Sequence, residues 1–396
     1  MAVYYINLLL ILALAFPLCI CKPSVTKKAV YLLITFGWMW FIATFRYNIG
    51  WDYYDYIDIF EQIRVLNSLW DVRYEPGFVL LTRAMTLFIH NHVVMYGVYQ
   101  IIILLPVMWF IYRYCKDIWL ATWLYATLTF FYISMNFTRQ ALACSIALLG
   151  YKFLRERKPI PYILIVLLAA SFHFAVLIMI PVYFVCHLRL TKKLAIFYGA
   201  AAFVLYIASS LIMYIAIRYF LPGYEGTPML EPLSLRHMLV PISILATCLI
   251  LLPRWKKCDP DAVMLTNMMM FSAIIWLLAT RYMIIQRFVM SLEILLLAAL
   301  PAAISVLRAS DEDHATLETL RAAQSAPKNK NKKSPNSKET EIKIEKLAET
   351  IKEREVYYWS AVAAVLIVTL MYHALGVNIG FHNVFPYQSV LNWAWL

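Results

Sequence analysis

Eight polar residues of the chain sit in settings where polarity is costly. Arg46, Asp52, Glu75, Arg139, His173, Arg281, Arg287 and Tyr387 lie at or beside the ends of long apolar runs. Guanidiniums offer forked donors that match the oxygens of a diphosphate. A histidine or a carboxylate can take a proton from a hydroxyl. The densest stretch is Phe45-Arg46-Tyr47-Asn48-Ile49-Gly50-Trp51-Asp52-Tyr53-Tyr54-Asp55-Tyr56, which begins where apolar residues 29–44 stop. Its aromatics admit two readings. One is an interfacial belt with a snorkelling arginine. The other is a lip that stacks on sugar rings, with Asp52 for hydroxyls and Arg46 for phosphate.

The other candidates carry similar pairs of readings. Arg139 opens a helix, with Asn136 or Thr138 as cap, and free N–H groups at a helix start favour an anion. The plainer alternative there is a snorkelling side chain. Arg287 lies about one turn inside a helix beginning at Met283, too deep to reach the surface easily. Arg281 is nearer the edge and also fits a belt. His173 at the tip of a short apolar hairpin is either a satisfied buried histidine or a base. Asp52 and Glu75 are the rival bases. Asp55, Asp58 and Glu61 are spaced like one solvated face, and Glu293 reads as a buried counter-ion.

The elements that must position these groups follow from composition. The 396 residues are 63% hydrophobic and 15% charged, with a mean hydropathy of +0.69. Soluble domains are far more polar, so the fold class is an all-α polytopic membrane protein. The net charge of +12 sits largely in short loops and one lysine-rich segment, where membrane topology rather than nucleic acid explains it. The seven cysteines form no C-x-x-C pair and no metal-ligand cluster. No cofactor or metal is expected.

Basic loops orient the spans. Lys22, Lys27 and Lys28 follow a retained first span over residues 4–20, which places the N-terminus outside. A second span over 29–45 carries the Arg46–Asp52 stretch to the outer face. An interfacial helix is expected within 52–70. The run 77–89 is too short to span, so 77–90 is expected to dip in and return against a cavity. Later spans are expected at 94–112, 118–133, 141–154, 194–219, 238–252, 262–279, 283–306 and 356–376. The run 160–188 must rise and return as a hairpin turning near Ser171-Phe172-His173, and 221–235 is an external loop. The total is about twelve crossings plus the re-entrant segment, with both termini external. Domains then divide as 1–308, a main transmembrane unit with an outward cavity that includes the external segment 46–76. A charged cytoplasmic loop, 309–355, and a last helix with external tail, 356–396, follow. Within the loop, 328–338 is low-complexity and 341–355 is helical, with Ile342, Leu347 and Ile351 as a thin apolar stripe.

The motifs, taken in order, resemble a known family. Arg46…Gly50-x-Asp52-Tyr53 with Tyr56, Glu75-Pro-Gly-Phe, Asn136-x-x-Arg139-Gln140, Ser171-Phe-His173-Phe and Phe385-Pro386-Tyr387 are similar to the EpsG/Wzy-like bacterial polysaccharide polymerases. The resemblance covers most of the chain, with 309–355 as an insertion. It implies a membrane glycosyltransferase that joins undecaprenyl-diphosphate-linked oligosaccharide units at the outer face of the cytoplasmic membrane. On that reading Arg46, Arg139, Arg281 and Arg287 bind diphosphate. His173, Asp52 or Glu75 is the catalytic base. Trp51, Tyr53, Tyr56, Gln140 and Tyr387 meet sugars. Its partners are the lipid-linked oligosaccharide, the bilayer and a chain-length regulator, with no nucleic acid. A flippase of lipid-linked sugars or a ligase resembling the O-antigen ligases is the alternative.

Overall fold

The computed structural model describes residues 2–66, 68, 72–325, 337–380 and 383–391. Among these the fold is helical throughout, with one isolated antiparallel bridge between Arg46 and Ser389. The helices are α1 (Ala2–Ala15, extended by a π turn over Phe16–Ile20), α2 (Val25–Thr44), α3 (Tyr53–Val65), α4 (Pro76–Thr86) and α5 (His92–Tyr114). Next come α6 (Ile118–Thr127), α7 (Phe130–Asn136), α8 (Thr138–Leu148), α9 (Tyr151–Arg155), α10 (Pro159–Ala170) and α11 (Met179–Cys186). The chain continues with α12 (Lys192–Tyr219), α13 (Leu239–Cys258), α14 (Ala262–Ala279), α15 (Gln286–Glu293), α16 (Leu296–Ser305), α17 (Asp311–Ser325) and α18 (Ser337–Asn378). Several starts are capped from the sequence. Ser24 accepts from the Lys27 N–H at 3.2 Å, and Asn91 from Val93 at 2.8 Å. Each satisfies a donor that the helix leaves unpaired.

Seven helical stretches among the described residues are long and apolar enough to cross a membrane, or nine if each of two bent pairs counts once. The protein is therefore a multi-pass membrane protein. The remaining crossings of the sequence reading fall on short helices: α8 of 11 residues, α10 of 12 and α11 of 8. At about 1.5 Å per residue these rise well short of the roughly 30 Å hydrocarbon core. The break at Ser171–His173 is the turn expected within 160–188, whereas the break at Leu149–Gly150 falls inside the span expected at 141–154.

The basic loops gather at one end of the bundle. Arg155 pairs with Asp261, and the Tyr358 hydroxyl donates to Asp117 at 3.0 Å. The lysine-rich segment up to residue 336 lies outside the described residues. Beside it, α17 packs on the arm of α18 through Leu317, Leu347 and Ile351, with Arg354 on Asp313 at 2.7 Å. Ile342 is left exposed. At the opposite end, residues 383–391 return over the 45–50 segment. The Tyr47 N–H donates to Gln388 at 2.9 Å, Gly50 to Asn383 at 2.9 Å, and Val390 to Phe45 at 3.0 Å. The Tyr4 hydroxyl donates to the Val384 carbonyl, so α1 starts at this same end. Here α3 and α4 pack on each other as a short cover. Arg83 donates to the Ile63 carbonyl at 2.9 Å, which satisfies an orphan carbonyl of the last turn of α3. In the 221–235 region the chain makes short turns at Pro222–Tyr224 and Pro228–Leu230.

Candidate functional site

Two distant motifs meet at a junction of backbones. The N–H groups of Gly77 and Phe78 donate to the Ser171 carbonyl at 2.8 and 3.2 Å. These are donors that the start of α4 would otherwise leave unpaired. Only glycine fits, because a Cβ on residue 77 would lie 2.1 Å from Ser171 Oγ and 2.9 Å from Ser171 O. The contact carries Glu75 to the turn that presents His173. His173 caps the short helix Phe174–Ile178, and its Nδ1 accepts from the Ala175 N–H at 3.3 Å. With Nδ1 occupied as acceptor, the neutral ring carries its proton on Nε2. The ring is only 4% exposed. Burial, then the charges of Arg139 and Arg287, lowers its pKa to about 3. His173 is thus a neutral hydrogen-bond donor across the physiological range.

Arg139 stands at the start of α8, held from three sides. Its Nη1 donates to Glu75 Oε2 at 2.6 Å, and its guanidinium lies over the Tyr74 ring at 4.9 Å. Its backbone N–H donates to the Tyr56 hydroxyl at 3.1 Å. Asp52 is fixed by the residue group just before α8. Its N–H donates to Asn136 Oδ1 at 3.1 Å. Gly50 makes that approach possible, with a φ of +90 and Asn136 Oδ1 3.0 Å from where a Cβ would be. The Asp52 carboxylate has no hydrogen-bond or ion-pair partner among the described residues. Burial, then Asp55, raises its pKa, and Arg287 and Arg139 pull it back. Arg287 stands at the start of α15. Its Nη1 donates to the Tyr224 hydroxyl at 2.8 Å, and Gln140 Nε2 donates to its backbone carbonyl. Arg139 and Arg287 therefore act electrostatically on both Asp52 and His173, with Glu75 on Arg139. The Nε atoms of Arg139 and Arg287, like those of Arg46 and Arg64, are buried with no partner among the described residues.

A model of the EpsG family matches residues 29–317, well over half of the chain. The chain belongs to the EpsG family. That is a family of Wzy-like polysaccharide polymerases. No curated protein and no solved structure matches this EpsG-family chain. The matched region holds the Asp52–Glu75–Arg139–His173–Arg287 group and leaves out α1 and the tail bearing Tyr387.

The remaining sequence candidates of this EpsG-family protein take other places. Arg46 is fully buried, donates to the Ala43 carbonyl and, at 3.2 Å, to the Met135 carbonyl, and lies 3.9 Å over the Tyr96 ring. Its two terminal nitrogens are spent on backbone carbonyls, and its Nε is buried without a partner among the described residues. Tyr387 donates to the Ile42 carbonyl at 2.9 Å and helps close the end of α2. Tyr53 is 5% exposed and stacks on Tyr96, with centroids 5.1 Å apart. Tyr56 is equally buried and serves Arg139. Trp51 is 61% exposed, beside exposed Tyr47 and Tyr54, so the open aromatic rim is a different subset of the same stretch. Arg281 binds Ser210 at 2.9 Å and lies over Tyr206, both on α12.

Sequence reasoning missed Tyr224, Tyr74 and Ser171 as supports. Tyr224 lies in a Pro-Gly-Tyr turn far from any motif, and its pairing with Arg287 had no local signal. Ser171 had one: it opens the Ser-Phe-His-Phe motif, whose partner is the glycine of Glu-Pro-Gly-Phe.

Proposed function

We propose that this protein is a polymerase that joins lipid-diphosphate-linked oligosaccharide units at the outer face of the cytoplasmic membrane. The observation that carries this reading is the convergence of Arg139, Arg287, His173 and Asp52 from four separate helix ends. Arg139 and Arg287 bind the diphosphate, and their buried, unpartnered Nε groups are the donors in reserve. His173 gives a neutral hydrogen bond from Nε2 to the same leaving group. Donors already aimed where charge develops are the main source of rate. Asp52 accepts the acceptor hydroxyl's proton. The hydroxyl oxygen bonds to the anomeric carbon, the bond from that carbon to the diphosphate oxygen breaks, and the diphosphate leaves with the electron pair. Glu75 holds Arg139 in place until the diphosphate competes for it. Arg46 is a positioning residue that seals α2 under the tail.

The lipid and the sidedness have their own support. An apolar groove of ≈ 320 Å³ between α12, α14 and Phe288 has Arg287 at its edge. A polyprenyl chain lying there would leave its diphosphate at the guanidinium. The basic loops gather at the end opposite the site, and the positive-inside rule supports an outward-facing site. The acceptor is a second undecaprenyl-linked unit, and a chain-length regulator is the expected protein partner.

The test is glycan length in cells carrying Arg139→Ala or His173→Ala at normal protein level. Single unjoined repeat units on lipid or final acceptor are expected. Unchanged long chains would refute the assignment. Loss of all external glycan, single units included, would favour a flippase.

A further inference from the structure

Two of the spans are broken, and both breaks open on the same cleft. α6 and α7 meet at 46° around Leu128 and Thr129, and the Met283–Glu293 segment meets α16 at 55° just after Glu293. The cleft is open to one side, has a cavity volume of ≈ 60 Å³ and is lined by Thr129, Gln140, His237, Trp276, Arg287 and Glu293 among others. Broken backbone at membrane depth is tolerated where it lines a cavity, and such breaks recur at binding sites.

The polar groups in this cleft are set up but incomplete. Trp276 Nε1 donates to Glu293 Oε1 at 3.1 Å, which orients the carboxyl. Its other oxygen has no protein partner among the described residues. His237 lies parallel to the Trp276 ring at 6.3 Å. Thr129 has a φ of 67, a left-handed conformation that strains a β-branched residue. It is 1% exposed, yet its Oγ1 has no hydrogen-bond partner among the described residues. A buried hydroxyl left unpaired is costly, which points to a partner outside the chain. Arg287 forms one wall, and Gln140 is tied to the Arg287 carbonyl.

We propose that this cleft is the subsite for the sugar ring bonded directly to the diphosphate. The inference rests on the polymerase reading, because that reading puts the diphosphate on Arg287. A ring attached to it and turned inward reaches hydroxyl partners in Glu293, Thr129 and Gln140. Glu293 accepts from two ring hydroxyls or one hydroxyl and an amide, and the Thr129 hydroxyl completes the set. These three residues would choose which sugar the enzyme accepts at that position. They are specificity-determining, and the base remains Asp52.

The experiment uses the full-length protein in proteoliposomes. Its probes are the lipid-linked repeat unit extracted from cells lacking this protein, and polyprenyl diphosphate bearing no sugar. Glu293→Gln keeps an acceptor for Trp276, and Thr129→Ala removes a hydroxyl that no protein group needs, so both should fold. Each is expected to weaken binding of the repeat unit and to raise its KM by roughly tenfold, the size of one charge-assisted or buried hydrogen bond. Binding of the sugar-free lipid should be unchanged. Unchanged affinity for the repeat unit would overturn the subsite. So would an equal loss for both lipids, which would mean a structural role. Wild-type protein that binds the repeat unit and never lengthens it would instead refute the polymerase reading, and the difference between the two lipids would still decide the subsite.

Discussion

Gly77→Ala gives the sharpest structural perturbation of the site without touching a proposed catalytic group. The new methyl would sit 2.1 Å from Ser171 Oγ, 2.9 Å from Ser171 Cβ and 2.9 Å from Ser171 O. The hydroxyl could rotate by giving up its bond to Leu168 at 2.6 Å, but the carbonyl and Cβ cannot. The two strands of backbone must part. That weakens the bonds from Gly77 and Phe78 to Ser171, worth about 0.5–1.5 kcal/mol each, and adds overpacking of about 1–3 kcal/mol. A loss of about 2–6 kcal/mol at this junction follows, the upper end applying if both bonds are lost outright. The consequence for function is larger than for folding. Glu75 and His173 ride on the two sides of the junction, and a displacement of about 1 Å in a reacting group can cost a hundredfold in rate. The assay is glycan length in cells together with detergent-solubilised melting of the protein. Single units should accumulate while most of the protein remains folded. Ser171→Gly in the same chain removes two of the three close contacts and should restore part of the polymer. Full-length glycan from Gly77→Ala alone, or no recovery with Ser171→Gly, would refute the junction argument.

His173→Gln places an N–H where Nε2 stood and should keep more activity than His173→Asn, which mimics only Nδ1; equal inactivity of both would favour His173 as a base. His173 also links stability to pH. Its pKa falls from 6.5 unfolded to about 3 folded. Its neutral form therefore supports the fold fully above pH 6.5, and that support drains away as pH drops from 6.5 towards 3, an effect that melting across pH should show and His173→Gln should remove. Asp52 is held above its usual 3.8 by burial. Polymerisation should decline as external pH falls through that raised value, and Asp52→Asn should lose roughly a hundredfold and the acidic limb with it. Arg46→Ala leaves the Ala43 and Met135 carbonyls buried without donors, about 1–3 kcal/mol each. The protein level should collapse, whereas loss of activity at normal level would restore Arg46 to the diphosphate site.

Much of the architecture was legible because membranes punish exposed polar groups. Apolar runs marked α2, α5, α12 and α14, and the basic loops did gather at one end. The turn at Ser171–His173 followed from the basic loops on both sides of 160–188, and the helix expected within 52–70 from periodicity runs over Tyr53–Val65. Helix breaks were not legible. Thr129 sits inside an unbroken apolar run, and nothing local marks it as left-handed. For the site, the motifs held Asp52, Glu75, Arg139 and His173, and depth in an apolar helix pointed to Arg287; Arg139 and Arg287 both act on the charge of Asp52 and of His173. The aromatic lip misled at Tyr53 and Tyr56. Their residue type suits both a sugar platform and a core, and only the packing of α3 on α4 and α5 shows which rings turn inward. Arg46 misled for a related reason, since a guanidinium serves a carbonyl as well as a phosphate.

The central claim is that Arg139 and Arg287 act on a lipid diphosphate to join glycan units. Purified protein in liposomes, given only the lipid-linked repeat unit extracted from cells lacking it, tests this directly. The account predicts a ladder of longer lipid-linked glycans with release of free polyprenyl diphosphate, and no ladder from Arg139→Ala or Arg287→Ala. Intact single units with the wild-type protein, or an undiminished ladder from both variants, would contradict it.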